Sequence, residues 1–313
     1  MTGLTRLQQT VRGALALLMM GLACSIACAD SSCPGALTAD IPARSNTMPS
    51  GSAFARSIAS KVSDQRDAVS ASAILRGDMP PFLRRLQAVT LHAYTDDGEP
   101  LAAIVCVMPD YLAVGSDSDF LRIPLALAPA LTIAQRFGFV LPTPRMVDAI
   151  YHESAAHLRP QPLRASEAMR STAYFTRHDA DIDRQIKMRG IPFGVLIAGH
   201  KKDVVLSNRL DRHPGRIAIY GWHEPNGEPI QPLSTRHGAA YVDYSHGIRL
   251  VSDGMLLNGR ATSVHQVLSD RRLAVVLSDE GVVGSLARFI PARSAPFARL
   301  QQALLGASAG LEQ

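Results

Sequence analysis

The sequence predicts an α+β fold in which N-terminal helices precede a mixed, mainly antiparallel sheet with intervening and C-terminal helices. Residues 51–86 carry apolar side chains at helical spacing, whereas residue 87 begins a series of short runs rich in Val, Ile and Leu, separated by turn sequences. Helical spacing returns between two groups of such runs and again after the second group. We therefore expect residues 51–313 to form a single α+β domain.

The first 29 residues have the features of a secretory signal peptide. Two arginines precede an apolar run, "ALALLMMGLACSIA", and an A-x-A cleavage site stands before Asp30, the first acidic residue. A lipoprotein is the alternative, but no aliphatic residue stands three places before Cys24 or Cys28. We expect cleavage near Ala29 and a periplasmic or secreted protein.

The mature chain is predicted to begin with a flexible arm, residues 30–50, which is rich in Ser, Pro, Ala and Thr. Cys33 in this arm and Cys106 in the domain are the cysteines that remain after cleavage. In an oxidising compartment they could pair and tie the arm to the domain. Because Cys106 lies in the apolar run "LAAIVCVMP", a buried and inert thiol is the alternative.

Two short amphipathic helices are predicted after the arm. Phe54, Ile58 and Val62 recur every fourth residue behind serine N-cap candidates, and residues 69–75 continue a helical pattern. The sequence "MPPFLRRL" then opens a further helical turn after its prolines.

Two groups of strands follow, each with helical segments after it. The first group is "AVTLHAY", "LAAIVCVMP", "YLAVGS" and "FLRIPLAL", with the punctuation of an antiparallel meander. Helical spacing returns in "APALTIAQRFGFVLPT", "PRMVDAIYHESAAHL" and the polar "RHDADIDRQIKMRG", which should end at Gly190. The second strand group is "GVLIAGH", "DVVLSNRL", "RIAIYGWHE" and "YVDYSHGIRLV", with a hairpin signal at Asn226–Gly227. In "RIAIYGWHE", strand alternation predicts one face with Ile217, Ile219, Gly221 and His223 and the other with Tyr220 and Trp222. "ATSVHQVLSD" and "RRLAVVLSDEG" have helix-like spacing.

Charge and hydropathy exclude two classes of partner. The chain has 32 Lys and Arg against 27 Asp and Glu, a formal net charge of +5, and its basic residues are scattered. We therefore expect no nucleic-acid partner, because such proteins need a clustered basic footprint. No run after the signal peptide reaches the roughly 18 apolar residues of a membrane span, so we expect none in the mature chain.

The second strand group also carries an unusual density of imidazole and carboxylate side chains. Zinc sites take neutral imidazoles and a carboxylate from adjacent strands and leave one position open for water. The candidate zinc ligands are His223, His237, Asp243 and His246. The candidate catalytic residues are His200, Asp203 and Ser245, with His200 and Asp203 in supporting roles. The candidate substrate-binding residues are Lys201, Lys202, Trp222, Tyr244 and Arg249.

A metal-free acid–base site and a purely structural role are the alternatives for this cluster. If residues 241–246 are extended, Asp243 and Ser245 share one face while His246 faces away, so a triad within the segment is not expected. Histidines in turns also commonly satisfy buried backbone groups. The acidic turn that begins at Asp110 is expected to be a solvated loop, with a wall of the substrate cleft as the alternative.

Two resemblances bear on function. At "AGHKKDVVLSNRL", "IAIYGWHEPNGEPIQPLSTRHG" and "YVDYSHGIRLV" the chain resembles a family of secreted bacterial proteins of unknown function, over nearly the whole mature chain. "SHGIRL" is also similar to the S-H-G-C-[IV]-R motif of L,D-transpeptidases, which remodel peptidoglycan, and His237–Gly238 is similar to their upstream His-Gly. The Cys of that motif is missing between Gly247 and Ile248, so the family's thiolate chemistry is not expected.

These observations predict a periplasmic or secreted hydrolase that acts on the cell envelope. The expected substrate is a peptidoglycan amide bond, cleaved by a His/Asp cluster with or without zinc. The alternative is a non-catalytic envelope protein that binds glycan or peptide through Trp222, Tyr241 and Tyr244. An enzyme requires the histidines to converge in a cleft, whereas a binding protein requires Trp222 and Tyr244 to line an exposed groove.

Overall fold

The structure is a computed structural model that describes Cys33 and residues 35–284. The predicted signal peptide and the last part of the predicted domain lie outside the described residues. Within them the chain has the α+β fold that the sequence predicts, with helices before, between and after mainly antiparallel strands.

Seven α-helices occur in the described part of the chain. They are α1 (Gly51–Ile58), α2 (Ser63–Leu75), α3 (Leu127–Arg136), α4 (Pro144–Glu153), α5 (Thr172–Met188), α6 (Arg209–Arg212) and α7 (Val264–Ser269). Short 3₁₀ turns occupy Gly35–Thr38, Pro81–Arg84, Glu167–Arg170 and Ala274–Val276. Among the described residues no helix is both long and apolar enough to cross a membrane.

The strands form two larger sheets and two small ones. The strands are β1 (Gln87–Tyr94), β2 (Pro100–Val107), β3 (Ala113–Ser116), β4 (Asp119–Arg122), β5 (Phe139–Val140), β6 (Ala156–His157), β7 (Ile197–Ala198), β8 (Lys202–Val204), β9 (Ile219–His223), β10 (Pro229–Ser234), β11 (His246–Gly247), β12 (Val251–Leu257) and β13 (Arg260–Ser263). The first sheet has the order β1-β2-β12-β13, with β5 beside β12, and it is antiparallel throughout. The second has the order β10-β9-β8-β11, and its β8–β11 pair is parallel.

Local sequence accounts for the helix positions. Ser50 accepts a hydrogen bond from the amide of Ala53 and caps α1, which buries Phe54 and Ile58. Thr143 caps α4 in the same way ahead of Pro144, whose fixed φ suits the first helical turn. The buried apolar side chains of both helices belong to the main apolar core.

The N-terminal arm is attached to the domain. Cys33 and Cys106 form a disulfide, so the pairing alternative for these cysteines is correct and the free-thiol alternative is wrong. Ile41 is buried in the core, and the guanidinium of Arg44 pairs with Asp78 at 3.1 Å. The arm therefore contributes packed residues to the domain.

Two local predictions in the second strand group are wrong. The segment 241–251 is not one strand, because only His246–Gly247 and the stretch from Val251 pair with neighbours. The residues just before His246 form a turn that the carboxylate of Asp243 stabilises through hydrogen bonds from Ser245. Alternation in β9 also fails, since Gly221 (φ 100°) and Trp222 (φ 58°) both have left-handed backbone conformations. Trp222 is therefore buried along with its neighbours.

Candidate functional site

A tight turn brings together five of the polar residues that the sequence singled out, and we call this group the Asp243 centre: His237, Tyr241, Asp243, Ser245 and His246. The Oδ1 atom of Asp243 accepts hydrogen bonds from the backbone amide of Ser245 at 2.7 Å and from its hydroxyl at 2.5 Å. The Nε2 atom of His246 lies 3.9 Å from Oδ2 of Asp243. The expectation that His246 faces away is thus wrong, because an Asx turn replaces the extended conformation.

Asp243 is buried but ionised. Burial alone would raise the pKa of this carboxyl, but His246, the hydroxyl and amide of Ser245, and Lys202 together outweigh burial. The pKa of Asp243 lies below its ordinary value, and the group is a carboxylate at neutral pH. Asp243 is therefore a fixed negative charge at the middle of the centre.

His246 is a buried, neutral imidazole behind this carboxylate. Burial lowers the pKa of His246 to about 4, and the charge of Asp243 opposes that shift only in part. Neither ring nitrogen has a hydrogen-bond partner among the described residues. Buried polar groups normally have hydrogen-bond partners and perturbed pKa values are concentrated at functional sites, so His246 is a candidate for a functional role.

His237 is the accessible imidazole of the centre. Its ring is half-buried and stacks on Tyr241 with centroids 3.9 Å apart and planes 8° from parallel. Its backbone is fixed, because its carbonyl accepts a hydrogen bond from Ile217 at 3.1 Å. Burial lowers the pKa of His237, and nearby Lys and Arg side chains lower it further against the pull of Asp243. His237 is therefore neutral at pH 7.

Tyr241 joins His237 to Asp243. Burial, together with the charge of Asp243 and a hydrogen bond to it, raises the pKa of the Tyr241 hydroxyl to about 12. The phenol therefore keeps its proton at any pH the protein would meet. The ring of Tyr241 also lies 5.8 Å from that of His246, so it is a neighbour of both imidazoles of the centre.

The turn is held against the second sheet by parallel pairing of β8 with β11, with His246 opposite Lys202 and Gly247 opposite Asp203. Gly247 packs so closely on Tyr111 that a Cβ at this position would lie 2.5 Å from the ring. The glycine of the S-H-G sequence is therefore required by packing on Tyr111.

Asp203 and Arg249, predicted as catalytic and substrate-binding, have structural partners on the other side of this turn. The hydroxyl of Tyr111 donates to Asp203 at 2.9 Å, and burial raises the pKa of Asp203 to about 6 against the opposing charge of Arg249. Arg249 is 1% exposed and donates to the carbonyls of Met108 at 2.9 Å and Ile197 at 2.8 Å. We therefore assign both residues to the support of the fold.

His200 belongs to a second buried network. Its Nε2 atom lies 3.0 Å from Asp110, and burial lowers its pKa to about 4. Asp110 also pairs with the buried Arg122, which contacts Asp179 at 2.8 Å as well. The expectation that Asp110 lies in a solvated loop is wrong. Sequence reasoning missed Arg122 and Asp179 as partners, because they lie in different elements.

Lys201, also predicted as substrate-binding, points into the interior. It is 2% exposed, and its Nζ atom donates to the carbonyl of Tyr244 at 2.7 Å and lies 3.4 Å from Nδ1 of His178. Burial lowers the pKa of Lys201 to about 8, although Asp179 opposes this. A buried ammonium with these partners cannot reach a ligand outside the domain.

His223 has partners of its own. Its Nε2 atom lies 2.9 Å from Asp148, and its ring stacks on Tyr151 at 4.5 Å. Cys33 and residues 35–284 contain no group of three or more His, Cys, Asp or Glu side chains arranged to hold a metal ion. Of the four predicted zinc ligands, His237, Asp243 and His246 interact with one another, while His223 pairs with Asp148.

Trp222 and Tyr244 do not form an exposed aromatic surface. Trp222 is 4% exposed and Tyr244 is 2% exposed, and both pack with Phe175 in a small internal cluster. Lys202, by contrast, is only partly buried, and its ammonium lies 5.1 Å from the centre of the Trp222 ring. Of the predicted substrate-binding residues, Lys202 is therefore the one that can reach a ligand beside the Asp243 centre.

Comparisons with protein-family models, with curated proteins and with solved structures find no match to this chain.

Proposed function

We propose that the protein is an exported hydrolase that cleaves an amide bond of the cell envelope, with His237 as the general base. One observation carries this proposal: a half-buried neutral imidazole stacks on Tyr241 beside a buried carboxylate, Asp243. A neutral imidazole close to a fixed negative charge is the arrangement that general-base catalysis needs. Export is inferred from the signal-peptide features of the first 29 residues.

Each residue has a distinct part in this reaction. His237 removes a proton from a water molecule as that water attacks the substrate carbonyl, and the resulting imidazolium gives this proton to the amine that leaves as the C–N bond breaks. Asp243 favours the imidazolium that results, because its charge raises the affinity of His237 for a proton. Tyr241 retains its proton and holds the His237 ring by stacking.

Ser245 is a supporting residue in this proposal. Its side chain is fully buried, and its hydroxyl donates to Asp243 at 2.5 Å. A serine nucleophile would need a histidine as its hydrogen-bond partner and an exposed Oγ atom. Water is therefore the nucleophile that we propose.

A zinc-dependent form of the same reaction would use His237, Asp243 and His246 as ligands. The unpartnered ring nitrogens of His246 are compatible with this alternative, which would require both imidazoles to turn toward one point. The metal content of the purified protein distinguishes the two forms.

The test uses residues 30–313, oxidised and purified, with isolated peptidoglycan as substrate and new amino groups as the readout. We expect hydrolysis by the wild type and a loss of at least about 100-fold in His237→Ala. His92→Ala is the matched control, because His92 is exposed on β1 and away from the Asp243 centre. Because burial lowers the pKa of His237, the rate should fall to half of its maximum at a lower pH than an ordinary histidine base would give.

Two other outcomes would redirect the proposal. Stoichiometric zinc in the wild type that is lost in His246→Ala would favour the metal-dependent form. Binding of peptidoglycan without any release of amino groups, unchanged in His237→Ala, would contradict the hydrolase and favour the non-catalytic envelope protein.

A further inference from the structure

Two cationic side chains lie at the outer side of the Asp243 centre. The guanidinium of Arg170, which is exposed, lies 5.6 Å from the ring centre of Tyr241. Lys202 is in β8, directly opposite His246 in the parallel pairing, and is partly buried. The imidazole of His237 and the phenol of Tyr241 are thus accompanied by two positive charges on separate elements.

The contacts of both cations are with neutral groups. Arg170 donates a long hydrogen bond of 3.4 Å to the hydroxyl of Ser63, and Lys202 lies over the indole of Trp222. The carboxylate that acts on Lys202 is Asp243, which already accepts two hydrogen bonds from Ser245. Among the described residues, neither cation is therefore committed to a structural salt bridge, in contrast to the buried Arg122.

Further positive charge lies near His237. Arg216 donates to the carbonyl of Arg236 at 2.7 Å, and both guanidinium groups act on His237 with the same sign as Lys202. Glu167, which is exposed, acts with the opposite sign on Tyr241. The charges that act on His237 are therefore mainly positive, and the carboxylate of Asp243 opposes them.

The backbone at Trp222 places the indole beneath Lys202. Its φ of 58° is in a region that bulky residues rarely adopt, and Gly221 before it has a φ of 100°. Strain of this kind persists where the surrounding structure holds it, and it is concentrated at functional sites. Here it places the face of the Trp222 ring 5.1 Å from the ammonium of Lys202, where a cation–π contact restricts the side chain.

We propose that Arg170 and Lys202 form a carboxylate-binding subsite beside His237, so that the substrate is a peptide with a free carboxylate near the bond that is cleaved. This inference rests on the proposed function for the identity of the reaction but not for the binding itself. Charge-assisted hydrogen bonds from Arg and Lys to a carboxylate are among the strongest polar contacts that proteins make.

The test measures binding by calorimetry in the His237→Gln background, so that hydrolysis does not interfere. Three probes are compared: N-acetyl-alanyl-alanine, its C-terminal amide, and the amide of N-acetyl-alanyl-glutamate, which carries its carboxylate on the side chain. We expect one of the two acids to bind roughly tenfold to a hundredfold more tightly than the neutral amide. Which acid is preferred identifies whether the carboxylate is terminal or lateral.

The preference should disappear in the double variant Arg170→Gln/Lys202→Met and should decrease in Arg170→Gln alone. The single variant changes an exposed side chain, so the test does not depend on the folding of the Lys202 variant. Arg164→Gln, which removes another exposed arginine of the same loop, is the matched control and should keep the preference. Equal binding of acids and amide, binding of none at millimolar concentration, or a preference that survives the double variant would each overturn the proposal.

The two proposals can fail separately. A wild type that prefers the acids but releases no amino groups from peptidoglycan would retain the carboxylate subsite and lose the hydrolase. A wild type that hydrolyses peptidoglycan while its His237→Gln variant binds acid and amide equally would retain the hydrolase and lose the subsite.

Discussion

His246 and His237 are nine residues apart, and burial gives them different roles. His246 is fully buried, so its pKa of about 4 keeps it neutral at neutral pH, whereas His237 is half-buried and can meet a solvent molecule. The sequence predicted both as members of a reactive cluster, and the structure brings both to Asp243. The sequence could not predict which of the two histidines is accessible, because the exposure of each ring depends on the elements that pack over it.

The same limit applies to the charged residues of "GHKKD". The side chains of these neighbouring residues point to opposite sides: Lys201, immediately before β8, lies in the interior beside Tyr244 and His178, while Lys202, the first residue of β8, reaches the centre. Alternation alone indicates that the two lysines differ. Only the packing of α5 against Tyr244 decides which of them is buried.

Gly247 provides a test of the packing at the turn. Gly247→Ala should lower the free energy of unfolding by about 1–3 kcal/mol, because the new Cβ would lie 2.5 Å from the ring of Tyr111. Chemical denaturation of the purified variant measures this change.

Gly238→Ala is the matched control, since it alters the other His-Gly pair and its Cβ would meet nothing closer than a carbonyl oxygen 3.9 Å away. Its stability should be close to that of the wild type. If both variants unfold at the same denaturant concentration as the wild type, the close contact at Tyr111 is not a constraint on Gly247.

Among the secondary-structure elements, those with strong periodicity were predictable. The helices α1 and α4 and the antiparallel pair β1–β2 follow from apolar spacing and turn sequences. The parallel pairing of β8 with β11 was not predictable, because it joins residues more than forty positions apart and involves only two residues of each strand. The turn at Asp243 replaced a predicted strand because a carboxylate competes with neighbouring strands for the amide of Ser245.

The helix α2 departs from its predicted amphipathic pattern. Its buried face includes Arg66, Asp67 and Ser70. Asp67 accepts a hydrogen bond from the amide of Ala126 at 3.0 Å, and burial raises the pKa of Asp67 to about 7 although this bond and Arg66 oppose the shift. The helix therefore contributes a titratable group to the interior.

Asp67→Asn tests that assignment through pH. The folded pKa of Asp67 is above its ordinary value of 3.8, so folding favours the neutral acid. The contribution of protonated Asp67 to the free energy of unfolding is fully present below pH 3.8. It is lost as the pH rises through about 7. The substitution should stabilise the protein more at pH 8 than at pH 5, by at most about 3 kcal/mol, because about two pKa units of the shift lie between these two pH values.

Thermal unfolding at the two pH values measures the difference. Asp96→Asn, which removes an exposed carboxylate in the turn between β1 and β2, is the control for the loss of a charge. An equal effect of Asp67→Asn at pH 5 and pH 8 would mean that Asp67 does not titrate in this range.

Taken as a whole, the domain was predictable in class but not in topology. The sequence indicated helices, then two strand groups, and the structure has this order. The sequence did not indicate that β12, which follows β2 by more than 140 residues, pairs with β2 and also with β5. Such long-range pairing depends on which apolar faces fit together, and local periodicity contains no information about that.

The disulfide joins Cys33 of the N-terminal arm to Cys106 in the central strand β2, across a sequence separation of 73 residues. Opening a loop of this length should cost about 4 kcal/mol in the free energy of unfolding, according to the chain-entropy account. Cys33→Ala is the preferred variant, because it opens the loop and leaves Cys106 in its buried position.

Urea denaturation of the oxidised wild type, the reduced wild type and Cys33→Ala measures the contribution. The last two should have similar midpoints, both well below that of the oxidised protein. If the oxidised protein and Cys33→Ala unfold together, the bond contributes nothing to stability.

The close contact between Gly247 and Tyr111 has a consequence for the evolution of such chains. Under the proposed function, a descendant that lost hydrolysis would still need a glycine after His246, because the ring of Tyr111 leaves no space for a Cβ. Selection for folding would thus preserve Gly247 in an inactive relative while His237 drifted. In a lineage of this protein, a change at His237 would then accompany loss of the proposed activity, whereas an intact Gly247 is evidence only that the domain still folds.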